Sequence, residues 1–207
     1  MITLHHLNKS RSKRIIWLLE ELGVEYEIVS YQRDKDSFLA PASLKKIHAL
    51  GKSPVLEDNG QMIAESGAIT EYLITRYGNG KLAPQRDSKE YIEYIQWLHF
   101  AESSAILPLL MKMFLQKDGC ETRFLNTYVD IETEKVISYF NASLEGKTYL
   151  VGERLSGADI MMSFIVEILS NSLTLDNFEH IKRYDALLKT HASFNKADLL
   201  EAQNSTL

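Results

Sequence analysis

At 207 residues the chain can form one large domain or two modest ones, each able to bury a core, and two are expected. Apolar residues make up 45% and charged residues 25%, ordinary globular usage that excludes disordered and fibrous classes. The net charge of -5, with Lys and Arg scattered among the acids rather than gathered in a stripe, argues against a nucleic-acid partner.

The chain opens with "ITLHHL", a short strand, then the polar loop "NKSR" and the helical stretch "SKRIIWLLEELG". In that stretch Ile15, Leu18, Leu19 and Leu22 recur at helical spacing and Gly23 supplies the stop. His5 and His6 are neighbours in the strand and point to opposite faces, so they cannot chelate one ion, and no metal is expected. "EYEIVSY" is a second strand, and "QRDKDSFLAP" leads to a short helical candidate, "ASLKKIHAL". "PVLED" and "QMIAE" then form a hairpin about Asn59-Gly60, and "SGAITEYLITRYG" is a helix with Ile69, Tyr72, Leu73 and Tyr77 on one side.

The order βαβαββα predicts an α/β domain over residues 1–78, a mixed sheet covered by helices. Residues 79–87 gather glycine, proline and charge and read as a linker. Beyond them helical patterns dominate, at 88–116, 121–145, 156–171, 178–190 and 193–203, so residues 88–207 should form an all-α helical bundle.

No uninterrupted apolar run approaches the roughly 20 residues of a membrane span. The opening "MITLHHLNKSRSKR" lacks the basic-then-apolar order of a secretory signal, so a cytoplasmic location is expected. The single cysteine, Cys120, rules out an internal disulfide and reads as an incidental surface thiol in the polar segment "QKDGCETR".

Several short stretches carry chemistry. In "GKSPVLE", Pro54 begins a strand, where a missing N–H costs no ladder bond; a cis Ser53-Pro54 bond would instead turn the backbone of Val55 toward an extended peptide ligand. Glu65-Ser66 stands where a strand gives way to a helix; Ser66 suits an N-cap, and the helix N-terminus suits a carboxylate. Lys52 reads as a solvated loop lysine. In "LSGAD", Ser156 and Asp159 have capping-box spacing, with Leu155 and Ile160 at the staple positions, so Asp159 is assigned to folding. "AESSAILPLLMKMFLQ" is mostly core, although Met111 or Phe114 could line an apolar pocket.

Three stretches together, "SRSKRIIWLLEELGVEYE", "LGKSPVLEDNGQMIAESGAITEYL" and "YLVGERLSGADIMMSF", resemble the cytosolic glutathione transferases, most closely the fungal GTT-type and related bacterial branch. The resemblance implies a thioredoxin-like N-terminal domain, an α-helical C-terminal domain, a homodimer, and glutathione as cosubstrate with a small hydrophobic electrophile. It favours the cis bond at Pro54. It also implies that Glu65 and Ser66 hold the γ-glutamyl end, that Lys52 lines the glutathione site, and that Ser53, Pro54 and Val55 supply the backbone contact.

A thiolate needs a hydroxyl donor, a helix N-terminus or a cation near the sulfur. The loop "LNKSRSKR" offers all three, with Ser10 the first choice as donor, Ser12 the second, Asn8 the third, and Arg11 the cation. No tyrosine precedes Tyr26 and no cysteine stands in the loop, so neither the tyrosine-type nor the cysteine-type arrangement is expected. Aligned without gaps, the serine of serine-type members falls on Lys9, and "SRS" also suits a plain helix-capping segment with Ser12 as its cap. The reaction expected is conjugation to an electrophile; non-catalytic glutathione binding and peroxide reduction are the alternatives the residues leave open.

Overall fold

The computed structural model describes residues 1–119, 121–172 and 175–205. Cys120 lies outside the described residues. They form two compact units, residues 1–82 joined by 189–207, and residues 83–188.

The first unit is built on β1 (Ile2–Leu7), α1 (Ser12–Leu22), β2 (Tyr26–Tyr31), β3 (Val55–Asp58), β4 (Gln61–Ala64) and α2 (Ser66–Tyr77). The strands lie in the order β2-β1-β3-β4, with β1 parallel to β2 and antiparallel to β3. β1 is central and buried over most of its length, through the apolar Ile2, Leu4 and Leu7 and the polar His5 and His6 alike. Asn59 and Gly60, at the β3–β4 turn, both take positive φ (51° and 79°), as a tight two-residue hairpin turn demands. α1 stops at Gly23, whose φ of 65° lets its N–H and that of Val24 reach back to the carbonyls of Glu20 and Leu19.

Between β2 and β3 the expected helix is reduced to a 3-10 turn, Ala42–Lys46. Leu44 is its one buried side chain, and a single anchor gives no apolar stripe along which a longer α-helix could be held.

The last helix, α8 (Ala192–Asn204), belongs with the first unit and packs along α1. The Trp17 ring meets Phe194 edge-on at 5.0 Å, and its indole N–H donates to Ser193 Oγ at 3.0 Å. Ion pairs flank this contact, Lys13 to Asp198 and Lys196 to Glu20, each at 2.6 Å.

The second unit contains α3 (Lys89–Glu102), α4 (Ile106–Asp118), α5 (Leu125–Ser143), α6 (Gly157–Ser172) and α7 (Glu179–Leu188). The stretch read as one helix at 88–116 is two, broken at Ser103–Ala105. Pro108 explains the break: in a continuous helix its ring would clash with the carbonyl of Ser104, whereas in the first turn of α4 its missing N–H costs nothing. Each piece, 14 and 13 residues long, is shorter than the roughly 20 residues that cross a bilayer. α6 is buried on nearly every side and packs against α3 and α7.

Candidate active site

Sheet register decides which loops meet in the first unit. Val55 pairs with His5 on one side and Ala64 on the other, so the start of β3 lies beside the end of β1 and the end of β4. The helices that follow β1 and β4 therefore both begin at this edge. Three features converge there: the N-terminus of α1, the Ser53–Pro54 peptide, which is cis, and the Glu65-Ser66 start of α2. Ser53 fastens its loop to the central strand, donating to the carbonyl of His5 at 2.8 Å and accepting the N–H of Leu7 at 3.1 Å. Pro54 and Val55 are buried, and Lys52 is exposed.

Glu65 takes φ 68° and ψ 117°, a left-handed conformation for a non-glycine residue, which costs on the order of 1–3 kcal/mol and collects at functional sites. This bend makes Glu65 the N-cap, with its carbonyl accepting the N–H of Ile69 at 2.9 Å, and leaves its side chain exposed. The capping role expected of Ser66 is thereby displaced, because Ser66 is already the first helical residue. Its hydroxyl instead accepts from Arg14 Nη2 at 2.5 Å, and both side chains are buried. A buried guanidinium beneath a helix N-terminus adds full charge to the partial charge of the free N–H groups, a strong attractor for a carboxylate.

The loop before α1 uses its polar residues in different ways. Ser10 Oγ accepts the N–H of Ser12, the first residue of α1, at 3.2 Å; the N-cap position itself is held by Arg11 rather than Ser12. Ser12 faces inward, its Oγ 2.7 Å from Ser10 Oγ and 2.7 Å from His6 Nδ1. Asn8 is fully buried and holds Arg33: its side-chain oxygen accepts the Arg33 N–H at 2.9 Å and its carbonyl accepts Arg33 Nε at 3.1 Å. Arg11, half-buried, is the N-cap of α1, immediately before its first residue, and its side chain makes no capping bond. Lys9 is exposed, and its N–H donates to Glu201 Oε1 at 2.8 Å.

A sheet edge with an extended backbone, a cationic helix start and a paired hydroxyl next to a second helix start can seat a short peptide by its carboxylate and its main chain. Comparison with known proteins identifies the lineage. Family models for the glutathione S-transferase N-terminal and C-terminal domains match residues 1–75 and 106–186. Glutathione S-transferase 3 of Schizosaccharomyces pombe is 33% identical, with 89% of this chain and 81% of that protein aligned. The chain belongs to the glutathione S-transferase family. Glutathione S-transferase 1 of Saccharomyces cerevisiae is 35% identical over 81% of this chain and 80% of its own length. A crystal structure of a glutathione S-transferase from Actinobacillus pleuropneumoniae superposes with a TM-score of 0.89 at 36% identity, covering 98% of this chain and 93% of that one.

Three residues of this glutathione S-transferase family member escaped sequence reasoning. Arg14 had a readable signal: it lies four residues before Leu18 on the buried face of α1, where an unpaired charge would be costly. His6 and Glu201 had none, since they meet only when α8 folds back onto β1; His6 Nε2 stands 2.9 Å from Glu201 Oε2, bent off the line of the ring N–H. Burial works to raise the Glu201 carboxyl, but the His6 contact, the Lys9 N–H and the charge of Lys13 outweigh it and hold the group below the usual carboxylate range. On the opposite face of β1, burial lowers the His5 imidazole, against the charge of Glu57.

In the second unit, Met111 and Phe114 line an open apolar cavity of about 600 Å³ with Leu115, Lys117, Asp118 and Leu125. Asp159 is deeply buried and accepts from the N–H of Leu150 (2.9 Å), the N–H and Oγ of Ser156 (2.8 Å each) and the hydroxyl of Tyr184 (2.6 Å). The Ser156 N–H bond is the return half of a capping box, and the remaining contacts tie α6 to α7 and to the preceding loop. Burial pushes the Asp159 carboxyl up, against the pull of its four donors.

Proposed function

We propose that the chain binds glutathione at this edge of the sheet, holds it as the thiolate, and presents it to small hydrophobic electrophiles for conjugation. The observation that carries the reading is the meeting of the cis Ser53–Pro54 peptide, Ser66 over buried Arg14, and the Ser10–Ser12 hydroxyl pair at one edge of a family-typical fold.

Each part of the tripeptide has a partner of matching chemistry. The γ-glutamyl carboxylate takes the N–H groups and Ser66 hydroxyl at the start of α2, with the exposed Glu65 carboxylate on the α-ammonium. The main chain of Val55 pairs with the cysteinyl residue as a one-residue added strand. Lys52 pairs with a ligand carboxylate. A free thiol of this kind titrates near pH 8.5, so a donor, a helix start and a cation beside it are needed to populate the thiolate at neutral pH. Ser10 is that donor, the start of α1 supplies partial positive charge, and Arg11 is the cation. Arg14 is added here to the residues read from the sequence: its charge reaches the γ-glutamyl carboxylate through Ser66. Met111 and Phe114 are the side chains proposed to meet the apolar electrophile. No metal takes part, and the reading carries with it a homodimer, a cytoplasmic setting and a detoxifying role.

Thiolate absorbance of bound glutathione, followed against pH, tests activation. The bound thiol is expected to ionise at least one pH unit below free glutathione in the native protein and close to the free value in Ser10→Ala. A bound thiol that titrates as it does in solution would overturn the activation chemistry.

A further inference from the structure

Four side chains of the first unit form a line of close polar contacts that tripeptide binding does not require. It runs from Glu201 Oε2 to His6 Nε2 (2.9 Å), from His6 Nδ1 to Ser12 Oγ (2.7 Å), and from Ser12 Oγ to Ser10 Oγ (2.7 Å). His6 and Ser12 are 0% exposed and Ser10 6%, so Ser10 is the outer end. The second Glu201 oxygen accepts the Lys9 N–H at 2.8 Å, which fixes the carboxylate in place at the inner end. A histidine with a purely structural task would bond fixed donors and acceptors. His6 instead bonds a hydroxyl that leads to another hydroxyl, and both can turn their hydrogen either way.

We propose that His6 takes up the thiol proton of glutathione through Ser12 and Ser10, leaving the thiolate outside and an imidazolium paired with Glu201 inside. This rests on the glutathione reading of the site.

In the starting state neutral His6 carries its hydrogen on Nε2, toward Glu201, and its Nδ1 accepts the Ser12 hydroxyl, whose oxygen accepts the Ser10 hydroxyl. With all hydrogens pointing inward, Ser10 presents a lone pair to the incoming S–H. The S–H bond breaks and its proton bonds to Ser10 Oγ, as the Ser10 proton passes to Ser12 Oγ and the Ser12 proton to His6 Nδ1. Sulfur keeps the bonding pair as the thiolate. Each serine is again a neutral hydroxyl but now points outward, so that Ser10 donates to the sulfur it has just deprotonated. One proton has moved from sulfur to Nδ1 and no other reactant is consumed. After conjugation His6 returns the proton along the same line to solvent.

The alternative acceptor for the Ser12 hydroxyl, the carbonyl of Leu7, stands at 3.3 Å against 2.7 Å for His6 Nδ1. The other charged groups about the line are Lys13, paired with Asp198 at 2.6 Å, and Arg33, both of which interact with Glu201 and favour its ionised form, with Arg11 beside Arg33. The nearest β2 residue, Ser30, is uncharged. Neither His6 nor Ser12 need touch the tripeptide.

The test counts protons. Calorimetric titration with glutathione in buffers of differing ionisation enthalpy gives the protons released, and thiolate absorbance gives the sulfur ionised. In the native protein, fewer protons should leave than thiolates form. Ser12→Ala interrupts the line while sparing both ends: glutathione still binds, the thiolate-to-thiol ratio at neutral pH falls about tenfold, one unit of thiol pKa, and proton release rises to equal the thiolate that remains. His6→Gln should do the same and Glu201→Gln should shift both readouts partway; if His6→Gln does not fold, Ser12→Ala carries the test. Release equal to thiolate in the native protein, or a Ser12→Ala protein that binds glutathione with both readouts unchanged, overturns the relay alone. Failure of the native protein to bind glutathione overturns the binding reading as well.

Discussion

At the scale of single residues, the proposed function divides binding from activation. In the proposed reading Arg14 and Ser66 act on the γ-glutamyl carboxylate and Ser10 acts on the sulfur, so the two sets should separate in kinetics. Ser10→Ala removes one donor aimed at developing charge and is expected to lower kcat by about 10²-fold, with little change in the KM for glutathione. Arg14→Gln removes a charge-assisted bond of roughly 1.5–3 kcal/mol and should raise that KM about tenfold or more while leaving kcat nearer its native value. Steady-state kinetics with a reactive aryl halide checks both. The residue scale is also where the sequence was least legible. Ser10 and Ser12 were visible as candidates, but not their division of labour, in which Ser10 accepts the first N–H of α1 and Ser12 turns inward to His6. Asn8, a third candidate donor, spends its oxygen and its carbonyl on Arg33.

At the scale of elements, α8 does more than cover α1. It delivers Glu201 to both His6 and the Lys9 N–H, so the loop that carries Ser10 is held by a helix nearly two hundred residues further along. Glu201 is ionised more readily in the folded state than in the unfolded chain, and its contribution to stability is present above the ordinary glutamate value of 4.5 and lost as pH falls through the lower, folded value. The stability margin of the native protein over Glu201→Gln should therefore be full at neutral pH and shrink below about pH 4.5, as read by urea midpoints at both pH values. Asp159 gives the contrasting case. Asp159→Ala strands the Leu150 N–H and the Tyr184 hydroxyl in the interior and should cost about 3 kcal/mol in the same unfolding assay, with the glutathione affinity of the folded fraction unchanged. Local rules made these elements readable: the spacing of Ile15, Leu18, Leu19 and Leu22 marks α1, Asn59-Gly60 marks the hairpin, and the capping box marks the start of α6. They could not show that α8 returns to α1, or that Ala42–Lys46 lacks the apolar stripe to become a full helix.

At the scale of the whole molecule, the βαβαββα order and the helical second half were legible because hydrophobic periodicity is a local property. The meeting of β1, β3 and β4 at one edge was not, because it follows from register between strands some fifty residues apart. That register brings the start of α1, the Ser53–Pro54 turn and Arg14 beneath Ser66 to one place. The homodimer is expected to appear by light scattering at twice the chain mass of 23.7 kDa, and a mass near that of one chain would contradict it. The most direct measurement is calorimetric titration of the purified, folded protein with glutathione. Saturable binding at one site per chain, weakened about tenfold or more by Arg14→Gln, is the expected result; no detectable heat of binding over a concentration range that saturates a known glutathione S-transferase would contradict it.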